Sequence, residues 1–171
     1  GGPNITGSLR DVRILREGKI FARIDMYDYI LKGNSTDDRR LQNNDIVFVP
    51  SRVSTVGIRG EILRPGIYET LKDESLKDLI SFSGGLEQTA YSFRAPIDRI
   101  VPFEERKRGE SDRILIDVDM NEVMTGKKRI VLSDGDIVAI FPINDIMDNY
   151  VDIEGGGVER PGRYVLDDSI V

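Results

Sequence analysis

Cysteine, histidine and tryptophan are absent from this sequence. Without Cys there is no disulfide, thiolate metal site, iron–sulfur cluster or thiol nucleophile. Without His the chain lacks the commonest general base and the commonest metal ligand, and no Ser-His-Asp triad can form. No stretch approaches the ~20 apolar residues that a bilayer-spanning helix needs. Excess positive charge is also missing. The net charge is −6, so a phosphate backbone is repelled and nucleic acid is not an expected partner. What remains is carboxylate chemistry or no chemistry. The 171 residues, 39% of them apolar, suffice for one ordinary domain or two small ones with a modest core. The opening Gly1-Gly2-Pro3, with no initiator Met and no signal pattern, reads as a piece of something longer.

Self-comparison is the most informative step. Arg64-Pro65-Gly66-Ile67-Tyr68 returns 96 residues later as Arg160-Pro161-Gly162-Arg163-Tyr164. A β-branched stretch ending in Gly precedes each copy, at 56–60 and 151–156. Leu41, Asp45, Ile46, Val47 and Pro50 match Leu132, Asp136, Ile137, Val138 and Pro142. Ile24-Asp25 and Gly33 match Ile116-Asp117 and Gly126, and Ser8-Leu9-Arg10 matches Ser92-Phe93-Arg94. This order predicts the later part of one module at 1–50, a whole module at 53–142 and the opening hairpin of a third at 150–171. The first module turns at Glu17-Gly18, where the second inserts residues 103–112.

Within the whole module, 56–59 alternates as a strand. Pro65-Gly66 has the composition of a type II turn, with Gly66 at positive φ, and 67–71 returns as the second strand. Pro161 and Gly162 are expected to do the same in the third module. Ser75 with Asp78 resembles a capping box, and Leu76, Leu79 and Ile80 share one helical face that Gly84-Gly85 ends. Strands follow at 97–101 and 113–116, then a helical turn within 117–125 closed by Gly126. A Ser133-Asp134-Gly135-Asp136 turn leads into a strand at 137–141. One helix across a mixed four- or five-stranded sheet is the β-grasp arrangement, so the expected class is α+β with tandem β-grasp modules.

Candidate sites are few. Arg64, Tyr68, Arg160 and Tyr164 flank the repeated turn. They could contact a saccharide through guanidinium hydrogen bonds and a ring face, although a packed Tyr and a solvated Arg suit a hairpin better. Asp117, Asp119, Asn121 and Glu122 evoke a calcium loop, but Glu122 and Lys128 stand where Gly and the bidentate Glu are required. Gly126-Lys127-Lys128 fails the phosphate-loop spacing. No metal or cofactor is therefore expected. The mixed-sign run 104–110 is a solvated tip. Nothing singles out a carboxylate pair for glycoside hydrolysis.

Arg64-Pro65-Gly66-x-Tyr68, then Leu76-x-x-Leu79-Ile80-x-x-x-Gly84-Gly85-Leu86, then Asp136-Ile137-Val138 ahead of Pro142, resembles the SLBB (soluble ligand-binding β-grasp) domain. Asp25-Met26-Tyr27-Asp28-Tyr29 with the 41–50 segment is similar to the SLBB modules of polysaccharide export proteins. The resemblance implies a non-enzymatic segment in the periplasm, associated with the outer membrane of a Gram-negative bacterium. Such a segment serves as scaffold, oligomerisation surface or weak saccharide contact, with capsular or extracellular polysaccharide, other export-apparatus subunits and further copies of itself as partners. The family's N-terminal export domain, lipidated Cys and membrane-spanning helix have no counterpart in these residues. SLBB domains also occur in cobalamin carriers and a respiratory-complex subunit, which leaves open a small-ligand or protein-binding module unrelated to export.

Overall fold

The computed structural model describes residues 2–146, 148–157 and 159–165. In chain order the elements are β1 (Val12–Arg16), β2 (Lys19–Ile24), α1 (Met26–Lys32), β3 (Ile46–Phe48), β4 (Thr55–Gly60), β5 (Gly66–Glu69), α2 (Leu76–Phe82), β6 (Ala95–Ile100), β7 (Arg113–Val118), α3 (Met120–Met124), β8 (Ile137–Ile140), β9 (Tyr150–Ile153) and β10 (Gly162–Val165). They form three sheets, ordered β2-β1-β3, β5-β4-β8-β6-β7 and β10-β9. No helix among the described residues is long and apolar enough to cross a membrane.

The five-stranded sheet is a β-grasp. Two antiparallel hairpins, β4–β5 and β6–β7, flank β8, which runs parallel to β4 and antiparallel to β6. The helix α2 starts where the Asp78 carboxylate accepts from the Ser75 N–H at 2.8 Å. It ends at Gly84 and Gly85, whose φ of 88° and 102° no β-branched residue tolerates. Its Leu76, Leu79 and Ile80 pack on Val56, Ile58, Ile97, Val138 and Ile140, with Val118, Met120 and Val123 closing the other end. Each such side chain contributes roughly 1.5–3 kcal/mol by leaving water.

The turn expected at Pro65-Gly66 lies elsewhere. Gly66 does not have positive φ; it is the first residue of β5, opposite Ile58. The chain reverses at Gly60, where φ is 92° and the Ile62 N–H bonds the Gly60 carbonyl at 2.8 Å. Residues 63–64 are then drawn off to the end of α2. The Leu63 N–H bonds Gly85 O at 3.1 Å and the Arg64 N–H bonds Ser83 O at 2.9 Å. A hairpin whose connection hydrogen-bonds a neighbouring helix needs no tight turn of its own. Gly162 also opens a strand, β10, opposite Ile153, at a φ of 154° that is far from a type II turn.

The small sheet repeats part of the large one. Arg16 holds Asp45 through two hydrogen bonds of 2.8 Å, and Arg99 holds Asp136 at 2.9 and 2.7 Å. Each Asp also accepts a backbone N–H three residues back at 2.8 Å, from Gln42 and from Ser133. Asn44 and Gly135 both sit at positive φ, 69° and 81°. Thus β1 corresponds to β6, β2 to β7 and β3 to β8. These pairings shift three of the matches read from the sequence. Ser8 N–H bonds Pro50 O as Tyr91 N–H bonds Phe141 O, so Pro50 corresponds to Phe141 and not to Pro142, and Arg10 to Phe93 and not to Arg94. Asp25 and Asp119 both cap a helix, so Asp25 corresponds to Asp119 and not to Asp117. Identical residue types one or two places away had captured the alignment.

Asp45 makes the small sheet acid-sensitive. Hydrogen bonds from Arg16 first, and then the Gln42 N–H, lower its pKa to about 2 from an ordinary 3.8. A carboxylate with a depressed folded pKa stabilises above its unfolded pKa, and the contribution is lost as pH falls through the folded value. Thermal unfolding followed by circular dichroism should therefore change little between pH 7 and 5 on account of this group. Between about pH 4 and 2 the midpoint should fall, and Asp45→Asn should remove part of that fall.

Candidate ligand groove at the junction of two sheets

The segment ahead of β1 crosses to the start of α2, and a buried cation sits where the two meet. Arg10 is 7% exposed. Its Nη2 donates to Asp25 Oδ2 at 2.8 Å and its Nη1 to Glu74 Oε2 at 2.6 Å. Both carboxylates are already fixed, because Asp25 caps α1 by accepting from Tyr27 N–H at 2.8 Å and Glu74 accepts from Leu71 N–H at 2.9 Å. The guanidinium carbon also lies 4.7 Å from the centre of the Tyr27 ring and 4.8 Å from that of Phe82. Desolvation works against this cation, but the hydrogen bonds to Asp25 and Glu74 outweigh it and raise the Arg10 pKa further.

A second set of bonds crosses the same junction. Glu69 is buried at the end of β5. Its Oε1 accepts from the Ser8 hydroxyl at 2.5 Å and its Oε2 from the Leu9 N–H at 2.8 Å. The Ser8 oxygen in turn accepts from the N–H groups of Arg10 and Asp11, both at 3.0 Å. The phenol oxygen of Tyr27 accepts from Glu69 N–H at 2.9 Å, and burial raises the Tyr27 pKa. No buried side-chain nitrogen or oxygen among the described residues is left without a partner. Satisfied throughout, this network ties the β2-β1-β3 sheet to the β-grasp.

Beside the network lies a groove of about 820 Å³, within the range of small-ligand sites. Ser8, Asp11, Arg13, Arg23, Thr70 and Lys72 line it in part. Both signs of charge and several hydroxyls face it, while among the described residues no aromatic ring does so. Such a surface can hydrogen-bond a polyol and offers no face for a sugar ring to stack on.

The four residues flanking the repeated motif lie elsewhere. The Tyr68 phenol donates to the Arg64 carbonyl at 2.6 Å, and the Tyr164 phenol to the Arg160 carbonyl at 2.7 Å. Arg64 Nη2 reaches the Phe82 carbonyl at the end of α2, 3.1 Å away. Burial raises the Tyr68 pKa, and the ring packs on the core. Pro65 and Gly66 border a shallower depression on the outer face of β4 and β5. The two copies of the motif stand in different sheets and build no common site. Sequence reading missed Arg10, Asp25, Glu69 and Glu74. One usable signal was Glu69, an acid in a strand otherwise reading Ile67, Tyr68, Thr70, Leu71.

Fold and junction together define an α+β module of the β-grasp type. Residues 55–104 match the family model of the SLBB domain, a family of binding domains. The match starts at β4, crosses α2 and runs past the end of β6. No curated protein matches the chain.

Proposed function

We propose that this chain is a non-catalytic, periplasmic segment of a polysaccharide export protein. Its tandem β-grasp modules, at 1–50, 53–142 and 150–171, form a scaffold with weak saccharide contacts near the outer membrane. The observation that carries the reading is the SLBB match laid over a β-grasp that a buried arginine network clamps to a repeat of itself. A transport scaffold needs fixed spacing between modules, and the Arg10 network supplies it. It also needs cargo to leave, and a groove with hydroxyls and charges but no stacking ring suits transient contact. Other export subunits and further copies of the chain are the proposed partners. Arg64, Tyr68, Arg160 and Tyr164 act through the hairpins they brace, and saccharide contact falls to the groove.

Calorimetry with soluble fragments of bacterial capsular polysaccharide tests this reading. The expected dissociation constant is millimolar, about −4 kcal/mol. A micromolar constant would contradict a scaffold that releases its cargo. No heat at any fragment concentration would favour the second reading, a protein-binding β-grasp module unrelated to export.

A further inference from the structure

Positive charge collects in one hollow of a chain whose net charge is −6. The hollow holds about 270 Å³, between the start of α2 and the loop that follows α3. Lys77, Lys128 and Arg129 line it, with Val123 and Ile130 as an apolar wall. It shares no lining residue with the junction groove. The backbone holds two of the cations in place. The Lys77 ammonium donates to the Met124 carbonyl at 2.9 Å, and Arg129 Nη2 donates to the Asp73 carbonyl at 2.5 Å. An ammonium has three donors and a guanidinium five, so each keeps donors for a ligand.

These charges are not answered by the protein. Among the described residues no ion pair forms at Lys77, Lys127, Lys128 or Arg129. Arg10, Arg13, Arg16, Arg99 and Arg113, in contrast, each hold an aspartate. Asp78 is the one carboxylate among the described lining residues, and Ser75 occupies it. It accepts from the Ser75 N–H at 2.8 Å and from the Ser75 hydroxyl at 2.6 Å. Burial raises the Asp78 pKa, but those hydrogen bonds and the Arg129 and Lys32 charges outweigh it and lower the value. Three cations therefore face one anion that is already bonded.

The fold does not require cations here. Gly126 follows α3 at a φ of 78°, as Gly33 follows α1 at 67°, and the two loops then lead to the matching Asp136 and Asp45 turns. After Gly126 the chain reads Lys127-Lys128-Arg129-Ile130-Val131. After Gly33 it reads Asn34-Ser35-Thr36-Asp37-Asp38-Arg39-Arg40, in which acids and bases balance and Arg39 lies 3.9 Å from Asp37. The same connection is made with a neutral loop in one module and a basic one in the other.

We propose that this hollow binds an acidic sugar residue of a glycan, one whose ring carries a carboxylate or a phosphate. Lys77, Lys128 and Arg129 hold the anionic group, and Val123 and Ile130 receive the apolar side of the ring. The size of the hollow suits one sugar residue and not a longer stretch. The choice of a glycan rests on the saccharide reading above, whereas the choice of an anion rests on the cations alone. The acidic chain repels an anion elsewhere, so the contact is local and salt screens it. The junction groove meets the hydroxyls of neutral and acidic sugars alike, and this hollow selects the acidic ones.

Nuclear magnetic resonance on the isotope-labelled full chain tests the proposal with four probes: a galacturonic acid oligomer, glucose 6-phosphate, an uncharged maltooligosaccharide and inorganic phosphate. The amides of Lys77, Gly126, Lys128 and Arg129 should move with the first probe, the second or both, which tells the carboxylate from the phosphate. They should stay still with the uncharged oligomer, and high salt should reverse the shifts. Lys128 is exposed, so Lys128→Glu should keep its circular dichroism spectrum and weaken binding about tenfold. Four results would each overturn the proposal: no movement of these amides with either acidic sugar, equal movement with the uncharged oligomer, unchanged affinity in Lys128→Glu, or inorganic phosphate binding as tightly as the sugars, which would mean an adventitious ion only. The amides of Ser8 and Thr70, followed with the uncharged oligomer, report the saccharide reading of the groove separately, so either assignment can fail without the other.

Discussion

Gly60→Ala is expected to destabilise the β-grasp by about 3–5 kcal/mol, while Gly66→Ala six residues on changes stability by less than ~1 kcal/mol. The reasons are local. Gly60 has φ of 92°, and a Cβ there would lie 1.9 Å from the carbonyl oxygen of Ile140. That carbonyl cannot retreat freely, because it accepts from Glu61 N–H at 3.1 Å at the end of the β4–β8 ladder. The substitution therefore forces left-handed strain and parts two paired strands. At Gly66 the nearest atom to a new Cβ is Tyr68 Cε2 at 3.8 Å, an ordinary contact. A stiffer unfolded chain could make Gly66→Ala slightly stabilising. Thermal melts should show a drop of about 10 °C for Gly60→Ala and little movement for Gly66→Ala. Equal losses at both sites would mean that the chain turns at Pro65-Gly66 after all.

Arg10→Met should cost about 2–4 kcal/mol, chiefly through what it leaves behind. Met fills most of the space between Tyr27 and Phe82. Asp25 and Glu74, whose side chains are 19% and 18% exposed, would then face each other without the cation that separates them. Partial exposure keeps the cost below that of a fully buried pair broken on one side. Removing the charges as well, in Arg10→Met with Asp25→Asn and Glu74→Gln, should recover much of the loss. Denaturant unfolding distinguishes the outcomes. Arg10→Met should move the transition of the small sheet below that of the β-grasp, because one of the two sets of bonds across the junction is gone while the Glu69 set remains. A single coincident transition with unchanged midpoint would show that the two sheets are held together by something other than this network.

Much of the fold could be read from the residues. Alternation at 56–59, the Ser75–Asp78 box and the Gly84-Gly85 stop are local signals, and each appears within a residue or two of its expected place. The Asp45 and Asp136 turns were legible through the repeat. The Pro65-Gly66 turn misled because Pro-Gly composition is also compatible with an extended strand start. What draws residues 63–64 away is the end of a helix some twenty positions later, which no local pattern reports. The junction was illegible for a related reason. Arg10, Asp25, Glu69 and Glu74 lie up to 64 positions apart in the chain, and each alone reads as a solvated charge. The repeat even hid Arg10, since Arg94 sits one place from its true counterpart, the exposed Phe93.

Whether the groove at this junction meets saccharide is open to one direct measurement. The isotope-labelled chain is titrated with a capsular polysaccharide fragment, and backbone amide shifts are followed by nuclear magnetic resonance. The account predicts fast-exchange shifts centred on Ser8, Asp11, Arg13, Arg23, Thr70 and Lys72, with Arg64–Tyr68 and Arg160–Tyr164 unmoved. Shifts confined to the two Arg-Pro-Gly-x-Tyr hairpins, or none at millimolar saccharide, would contradict it.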